Sequence, residues 1–442
     1  MAHLDSNRNG DTKPDLAPHK DIPLSDRSLD DLVKEAPPLV DDIPNGGVTA
    51  WLQVVGSFFL FFNSWGIVNA FGVFQTYYEA DLLSSQTASS ISWIGSIQAF
   101  LLLIVGVATG PLYDAGYFRA LIFVGSFLTV FGMMMASICK EYWEVLLAQA
   151  LCVGLGSACL FIPSVAIVST YFTTKKSFAT GIAASGSSLG GIIYPIVFHQ
   201  LLPRVGFGWA TRTLAFIMLA TLTVPLTVMK VRVKPTQKRQ LLQLSAFKEL
   251  PFTFFSIAEF LGFMGLYVPF FYIQSYAIRS PHTHVEPSIA FYLLVILNVG
   301  SLFGRVIPNF LADKSGPLNM LLPCAKISAF LAFCWISIHS TAGLVMFCLL
   351  YGFFSGTFVS LPPTTVVSLS PNVAVVGTRM GMSFAFAGFG LLVGNPVAGA
   401  ILGTGDNFTG VQAFCGGTVA AAAIFVLFAR VSKVGLGLRS KA

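Results

Sequence analysis

The sequence predicts an all-α membrane protein of twelve transmembrane helices in two six-helix bundles. Three observations point there. Of its 442 residues, 55% are hydrophobic and only 10% charged, with a mean hydropathy of +0.74; an ordinary soluble domain carries about 25% charged residues. Apolar runs of about 20 residues, the length that crosses a bilayer, recur along the chain. A basic segment divides those runs into two sets of six, the pattern of a transporter built from repeats.

Residues 1–45 hold 10 of the 20 acidic residues and 5 of the 26 basic ones, with no apolar run. Such a segment reads as a disordered cytosolic tail. The first long apolar stretch begins near Ala50, so no cleavable signal peptide is expected. The first six spans fall at 50–78, 88–109, 119–138, 143–169, 176–201 and 209–229. The second six fall at 252–275, 287–311, 318–338, 342–365, 374–401 and 411–431. Between them lies a connector, 230–250, with Lys230, Arg232, Lys234, Lys238, Arg239 and Lys248. The expected domains are therefore 46–229 and 251–432, joined by the connector and followed by a short tail, 433–442.

Loop charges set the orientation, because Lys and Arg accumulate on the cytosolic side. With both termini cytosolic, the outside loops hold only Lys140, Arg204, Arg212 and Arg279. The inside loops and tail hold Arg119, Lys175, Lys176, the connector cluster, Lys314, Arg379, Arg430, Lys433, Arg439 and Lys441. The expected location is the plasma membrane, with an internal membrane such as the vacuole as the alternative.

The seven cysteines are scattered, mostly inside hydrophobic segments, and have no metal-type spacing. They read as small packing residues. No phosphate-binding loop and no nucleophile–base constellation occur, so neither ATP-driven transport nor an enzyme is expected, and no cofactor or metal. The expected partners are a small organic acid and the bilayer, with no nucleic acid and no obligate protein partner.

The stretch from Tyr171 to Gly191 is the most informative. A basic turn, Lys175-Lys176, leads into a helix with small residues at Gly181, Ser185, Gly186, Gly190 and Gly191. Small residues on one face let membrane helices approach backbone to backbone. A lead-in, Asn45-Gly-Gly-Val-Thr-Ala-Trp51, precedes the first span. Two loops echo each other: Gly110-Pro-Leu-Tyr-Asp114-Ala-Gly116-Tyr-Phe-Arg119 after the second span, and Asn309-Phe-Leu-Ala-Asp313-Lys314-Ser-Gly316 after the eighth. An aspartate at such a helix end can accept backbone N–H groups or pair with a cation and latch one face shut; the plainer reading is a turn filled with turn formers.

Together these segments resemble the monocarboxylate-transporter branch of the major facilitator superfamily. The resemblance implies alternating access between two bundles and a carboxylate-binding arginine in the eighth helix, at the place of Arg305. A guanidinium can clamp a carboxylate through two parallel hydrogen bonds; the structural alternative is an arginine that snorkels or pairs with Asp313. Ser301 stands where proton-coupled animal members carry an acid, and Asn69 where they carry a lysine. That pattern looks more like fungal members, some of which import carboxylates or vitamins and some of which export secondary metabolites.

Charges inside membrane helices are costly and are functional candidates. Glu259, in the seventh span, is the candidate for proton coupling, since a carboxyl in such surroundings can take up and release a proton in the physiological range; its alternative is pairing with connector cations. His199 reads as structural, and His282 and His284 as solvated. Aromatic residues crowd the first and seventh spans, where rings form either an interface belt or a cavity wall. The expected substrate-binding set is Arg305, Asn69, Ser301, Trp65, Tyr267 and Asn298. The expected gating loops are carried by Asp114, Arg119, Asp313 and Lys314, and helix packing by Gly181, Gly186 and Gly190. The functional expectation is a secondary active transporter of an organic carboxylate or acidic metabolite. Export of a secondary metabolite is the specific alternative, and a transporter-fold nutrient sensor the alternative of another class.

Overall fold

In lipid every backbone N–H and C=O must be satisfied within the segment, which leaves helices as the natural solution here. The computed structural model describes residues 44–232, 242–280, 283, 285–371, 375–403, 407–435 and 437; the side chains of Asp114 and Pro287 are outside this set. Among the described residues there is no strand. Spans α1 to α4 are Gly47–Leu82, Ala88–Asp114, Phe118–Ala136 and Tyr142–Tyr171. After α5 and α6 come α7 (Leu250–Arg279), α8 (Pro287–Ser315), α9 (Pro317–Ser337), α10 (Thr341–Leu369), α11 (Val376–Leu402) and α12 (Phe408–Val434).

The fifth and sixth spans form a single helical run, Lys176–Val228, of 53 residues. A straight helix of that size would reach roughly 80 Å, more than twice the hydrocarbon thickness. The run is broken at Gly206, whose φ of 73° and ψ of 173° reverse the chain. Only glycine takes that conformation without strain. We name the two arms α5 (176–205) and α6 (207–228). Among the described residues eleven runs are long and apolar enough to span a membrane, and this division makes twelve spans.

Two helices break near their middles. α1 steps out of register at Ser64 and again at Ala70. α7 breaks at Tyr267, and its second half starts on Pro269, which has no N–H to continue the ladder. The breaks place Trp65, Asn69 and Tyr267 at irregular backbone in the centre of the protein, as interrupted helices do in transporters.

Glycines set the closest approaches. A Cβ on Gly186 would strike the Phe58 carbonyl, and one on Gly190 would lie 2.8 Å from the Gly66 Cα, so both hold α5 against α1. Gly181 faces the other way: a Cβ there would collide with the Arg305 carbonyl and lie 2.8 Å from the Asn309 Cβ. It holds α5 against α8, across the two halves. On the outside, α3 shows lipid a stripe of Phe123, Phe127 and Phe131, spaced one helical turn apart.

Residues 1–43 of the expected 1–45 tail, the connector residues Lys234, Lys238 and Arg239, the loop histidines His282 and His284, and the C-terminal Arg439 and Lys441 lie outside the described residues. The start of α7 is braced by Arg379, whose side chain is fully buried and forms a two-pronged pair with Glu249. Those hydrogen bonds hold the Glu249 carboxyl below the usual glutamate range.

Replacing Gly186 by leucine should destabilise the protein by about 1–3 kcal/mol, the usual scale of overpacking. The check is the thermal unfolding midpoint in detergent. Gly417, which has nothing within 4 Å of a Cβ position, should accept the same change with little shift.

Candidate functional site

The broken centre of α1 brings aromatic rings to the plane between the two halves. Trp65 stacks on Tyr267 of α7 at 5.8 Å between ring centroids, with 28° between planes. Phe161 of α4 meets Trp65 edge-on at 5.9 Å, and Phe263 lies along Tyr267 at 6.1 Å. Trp65 and Tyr267 are almost wholly buried.

A polar ring closes around this stack. The Tyr267 hydroxyl donates to Asn69 Oδ1 at 3.3 Å, and Asn69 Nδ2 donates to the Ser187 carbonyl at 3.2 Å. The next residue, Ser188, donates through its hydroxyl to Ser301 Oγ at 3.2 Å, and Arg305 Nε donates to the same Ser301 oxygen at 3.2 Å. The Arg305 guanidinium also lies near the Tyr267 hydroxyl. Four helices therefore converge: α1, α5, α7 and α8.

Arg305 is the unusual member. Its side chain is fully buried, yet among the described residues Nη1 and Nη2 make no hydrogen bond of good geometry, with the Tyr267 hydroxyl as their polar neighbour. A buried cation with unused donors is costly. The two nitrogens form the edge of a guanidinium that could bind a planar anion bidentately. Asn298, two turns earlier, donates to the Leu294 carbonyl, while its Oδ1 has no partner among the described residues and fills the space a Cβ on Gly191 would take.

Glu259 stands apart from this circuit. It lies eight residues before Tyr267, about 12 Å along the helix. It is fully buried, and among the described residues neither carboxyl oxygen has a hydrogen-bond partner. Pairing with connector cations, the structural alternative for this residue, is absent among the described residues. His199 stacks on Phe291 at 4.0 Å and 16°, a packing contact between α5 and α8.

The Major Facilitator Superfamily matches residues 54–378 of the chain. The chain belongs to the major facilitator superfamily. It is 50% identical to the MFS-type transporter dbaD of Emericella nidulans, over 87% of this chain and 86% of that one. It is 36% identical to the aspyridones efflux protein apdF of the same organism, over 94% of this chain and 86% of the relative. Among solved structures it is similar in fold to the Escherichia coli fucose:proton symporter FucP (18% identity, TM-score 0.62, 86% of this chain and 98% of that one). It is likewise similar in fold to the nucleoside transporter NupG (16% identity, TM-score 0.64, 86% and 99%). This facilitator is thus a multi-pass membrane transporter and not an enzyme.

Both ends of the facilitator's central circuit are tied across the halves. At the end where α5 begins, the Asp313 carboxylate accepts the Ser177 N–H at 2.9 Å and the Phe178 N–H at 3.0 Å. An acid there also suits the positive end of the α5 dipole. Phe178 packs on Phe310 at 5.5 Å, and the Lys314 ammonium lies over the Phe310 ring. The Asn45 lead-in docks on the same turn: Asn45 Oδ1 accepts the Thr173 and Thr174 N–H groups, and Trp51 packs edge-on against Phe172 at 5.2 Å. Two motifs far apart in sequence therefore meet.

At the opposite end Glu79 of α1 pairs with Arg279 of α7 at 3.4 Å and accepts from Gln75 at 2.9 Å. Arg119 is not drawn into either tie. Its Nη1 donates to the Leu226 carbonyl at 3.3 Å, within its own half. Asp114 ends α2, and its side chain is outside the described set.

Sequence reasoning missed Glu79 because it follows the last residue assigned to the first span. It missed Ser188 because a serine in a run of small residues has no local mark of the partner it faces. Phe161 and Phe263 carried no signal beyond being aromatic.

Removing the carboxylate with Asp313→Ala should open the α5 end. Loss of a helix cap costs about 0.5–2 kcal/mol, so the population open at that end should rise several-fold. A cysteine placed at Ser177 and probed with an impermeant thiol reagent reads this directly. Glu79→Gln should not produce the same increase.

Proposed function

We propose that this transporter exports an acidic organic metabolite by alternating access, with Arg305 as the anion clamp. The observation that carries this reading is the buried guanidinium, with two unused donors, where α1, α5, α7 and α8 converge. A carboxylate or acidic enolate would satisfy both nitrogens at once. The rings of Trp65, Phe161, Phe263 and Tyr267 suit an organic body larger than a two- or three-carbon acid. Asn69, Ser301, Tyr267 and Asn298 supply hydrogen bonds for orienting it. Likeness to the aspyridones efflux protein supports the outward direction.

In this reading the halves 46–229 and 251–432 rock about the circuit. The Asp313 tie and the Glu79–Arg279 tie would open in alternation, each exposing the substrate to one side. Lys314, on Phe310 beside Asp313, would support the first tie. The chain would sit in the plasma membrane with both termini cytosolic, since the basic residues Lys175, Lys176 and Lys314 gather at the end where Asp313 meets the start of α5. The lead-in, the Tyr171–Gly191 stretch and Arg305 support placing it with the fungal monocarboxylate-porter-like members. Glu259 would couple export to proton entry: it is a titratable group buried in a moving half and free of the polar circuit.

The test is flux in proteoliposomes of purified protein, using monocarboxylates and larger aromatic acids, with and without a pH gradient. Saturable flux should fall roughly 30-fold or more in Arg305→Gln, the scale of losing one partner of a buried charge pair. Flux unchanged in that variant would sink the clamp.

A separate outcome concerns the energy source. Glu259→Gln should remove the dependence on the pH gradient while leaving substrate binding, measured by tryptophan fluorescence, within a few-fold. A pH response equal to that of the parent protein would reject Glu259 as the coupling group.

A further inference from the structure

The outer helices α3 and α6 meet at the rim of the membrane beside a groove of about 180 Å³. Its walls include Ile122 and Phe123 of α3 and Pro225 and Leu226 of α6, and Arg119 lines its mouth. The groove is too small for a typical organic ligand, whose pockets run to roughly 300–1,000 Å³. It also faces lipid: Phe123 is 65% exposed, and the exposed stripe of Phe127 and Phe131 continues from it along α3.

Charge at the mouth is held in place. The exposed Arg119 has one hydrogen bond among the described residues, to the Leu226 carbonyl at 3.3 Å, which leaves other guanidinium donors for a ligand. Lys230 directly follows Met229, a further wall residue. Its backbone is fixed on both sides: its N–H donates to Gln53 Oε1 at 2.8 Å, and its carbonyl accepts from the Tyr171 hydroxyl at 2.9 Å. Its side chain is exposed. An apolar wall open to acyl chains, with the Arg119 guanidinium in its lining and an exposed lysine, Lys230, next in the chain to a wall residue, has the chemistry of a phospholipid seat.

We propose that this groove binds an anionic phospholipid of the cytosolic leaflet, its phosphate held between Arg119 and Lys230 and an acyl chain lying along Phe123 and Leu226. A guanidinium matches a phosphate with two parallel hydrogen bonds, and the lysine adds a point charge. Such a lipid ties α3 to the end of α6, where the connector to the second half begins. The leaflet assignment rests on the orientation proposed above; the site itself does not.

The experiment places a reporter in the groove with Phe123→Trp, in the full chain, reconstituted in phosphatidylcholine vesicles. The vesicles are prepared with increasing mole fractions of brominated phosphatidylserine or brominated phosphatidylcholine mixed in before reconstitution, and quenching is read as the difference from the parent protein. Phosphatidylserine should quench the reporter at a mole fraction about fivefold lower per basic residue engaged, the scale of one surface lysine or arginine on an anionic membrane. The preference should vanish in Arg119→Gln with Lys230→Gln, survive in part in Arg119→Lys, and weaken as salt is raised. Equal quenching by the two lipids overturns the proposal, as does a preference that persists in the double variant. Both leaflets of these vesicles carry the same lipids, so the result does not depend on orientation. Protease digestion of residues 1–43 in sealed cells reads orientation separately, and cleavage from outside the cell would overturn the leaflet assignment alone.

Discussion

The contact on which the rest of the structure depends is the close crossing of α5 and α8. Gly181 allows it, because any side chain there would meet the Arg305 carbonyl. With the two backbones that near, three different pieces of chemistry come into line along one interface. Asp313 reaches the N–H groups that begin α5, Ser188 reaches Ser301, and Gly191 accepts the bulk of Asn298. Arg305 sits between them, held by its Nε to Ser301. A small residue at one position thus places an anion-type cap, a polar bridge and a buried cation on the same seam.

The second organising feature is the pair of interrupted helices. An unbroken helix satisfies its own backbone and offers only side chains. The breaks in α1 and α7 turn Trp65, Asn69 and Tyr267 toward the seam from the two sides. Stacking and hydrogen bonding then join the halves at mid-depth, through contacts that individually contribute about 1 kcal/mol or less. Bonds of that size hold a conformation without trapping it, which suits the alternating access proposed for this transporter. The ties at the two ends have the same character: a helix cap at Asp313 and a partly exposed ion pair at Glu79.

Much of this was legible in the chain. Apolar run length gave the span count, because transfer of a segment into lipid needs no knowledge of its neighbours, and the lead-in, the Tyr171–Gly191 stretch and the two aspartate loops gave the superfamily by resemblance. Even the merged run at 176–228 resolves into the two spans expected, since one helix cannot be more than twice as long as the membrane is thick. Arg305 was legible for the same reason: a cation in a membrane helix is rare enough to stand out. Ser188, Glu79 and the docking of Asn45 on the turn at 173–174 were not legible. Each depends on which partner lies opposite, and serine, glutamate and asparagine have the same local signature wherever they face.

The sequence by itself determined that the chain spans a membrane in twelve helices, which segments they are, and where the few intramembrane charges lie. These are properties of segments, set by transfer free energy and backbone satisfaction. Only the tertiary structure decided that Trp65, Asn69, Ser188, Tyr267, Ser301 and Arg305 form one circuit, that Glu259 stands outside it, and that Arg119 turns to the lipid-facing groove instead of a tie between halves. Those outcomes depend on how helices cross and rotate, which is settled by close packing among many residues distant in sequence and therefore has no signature in any one segment.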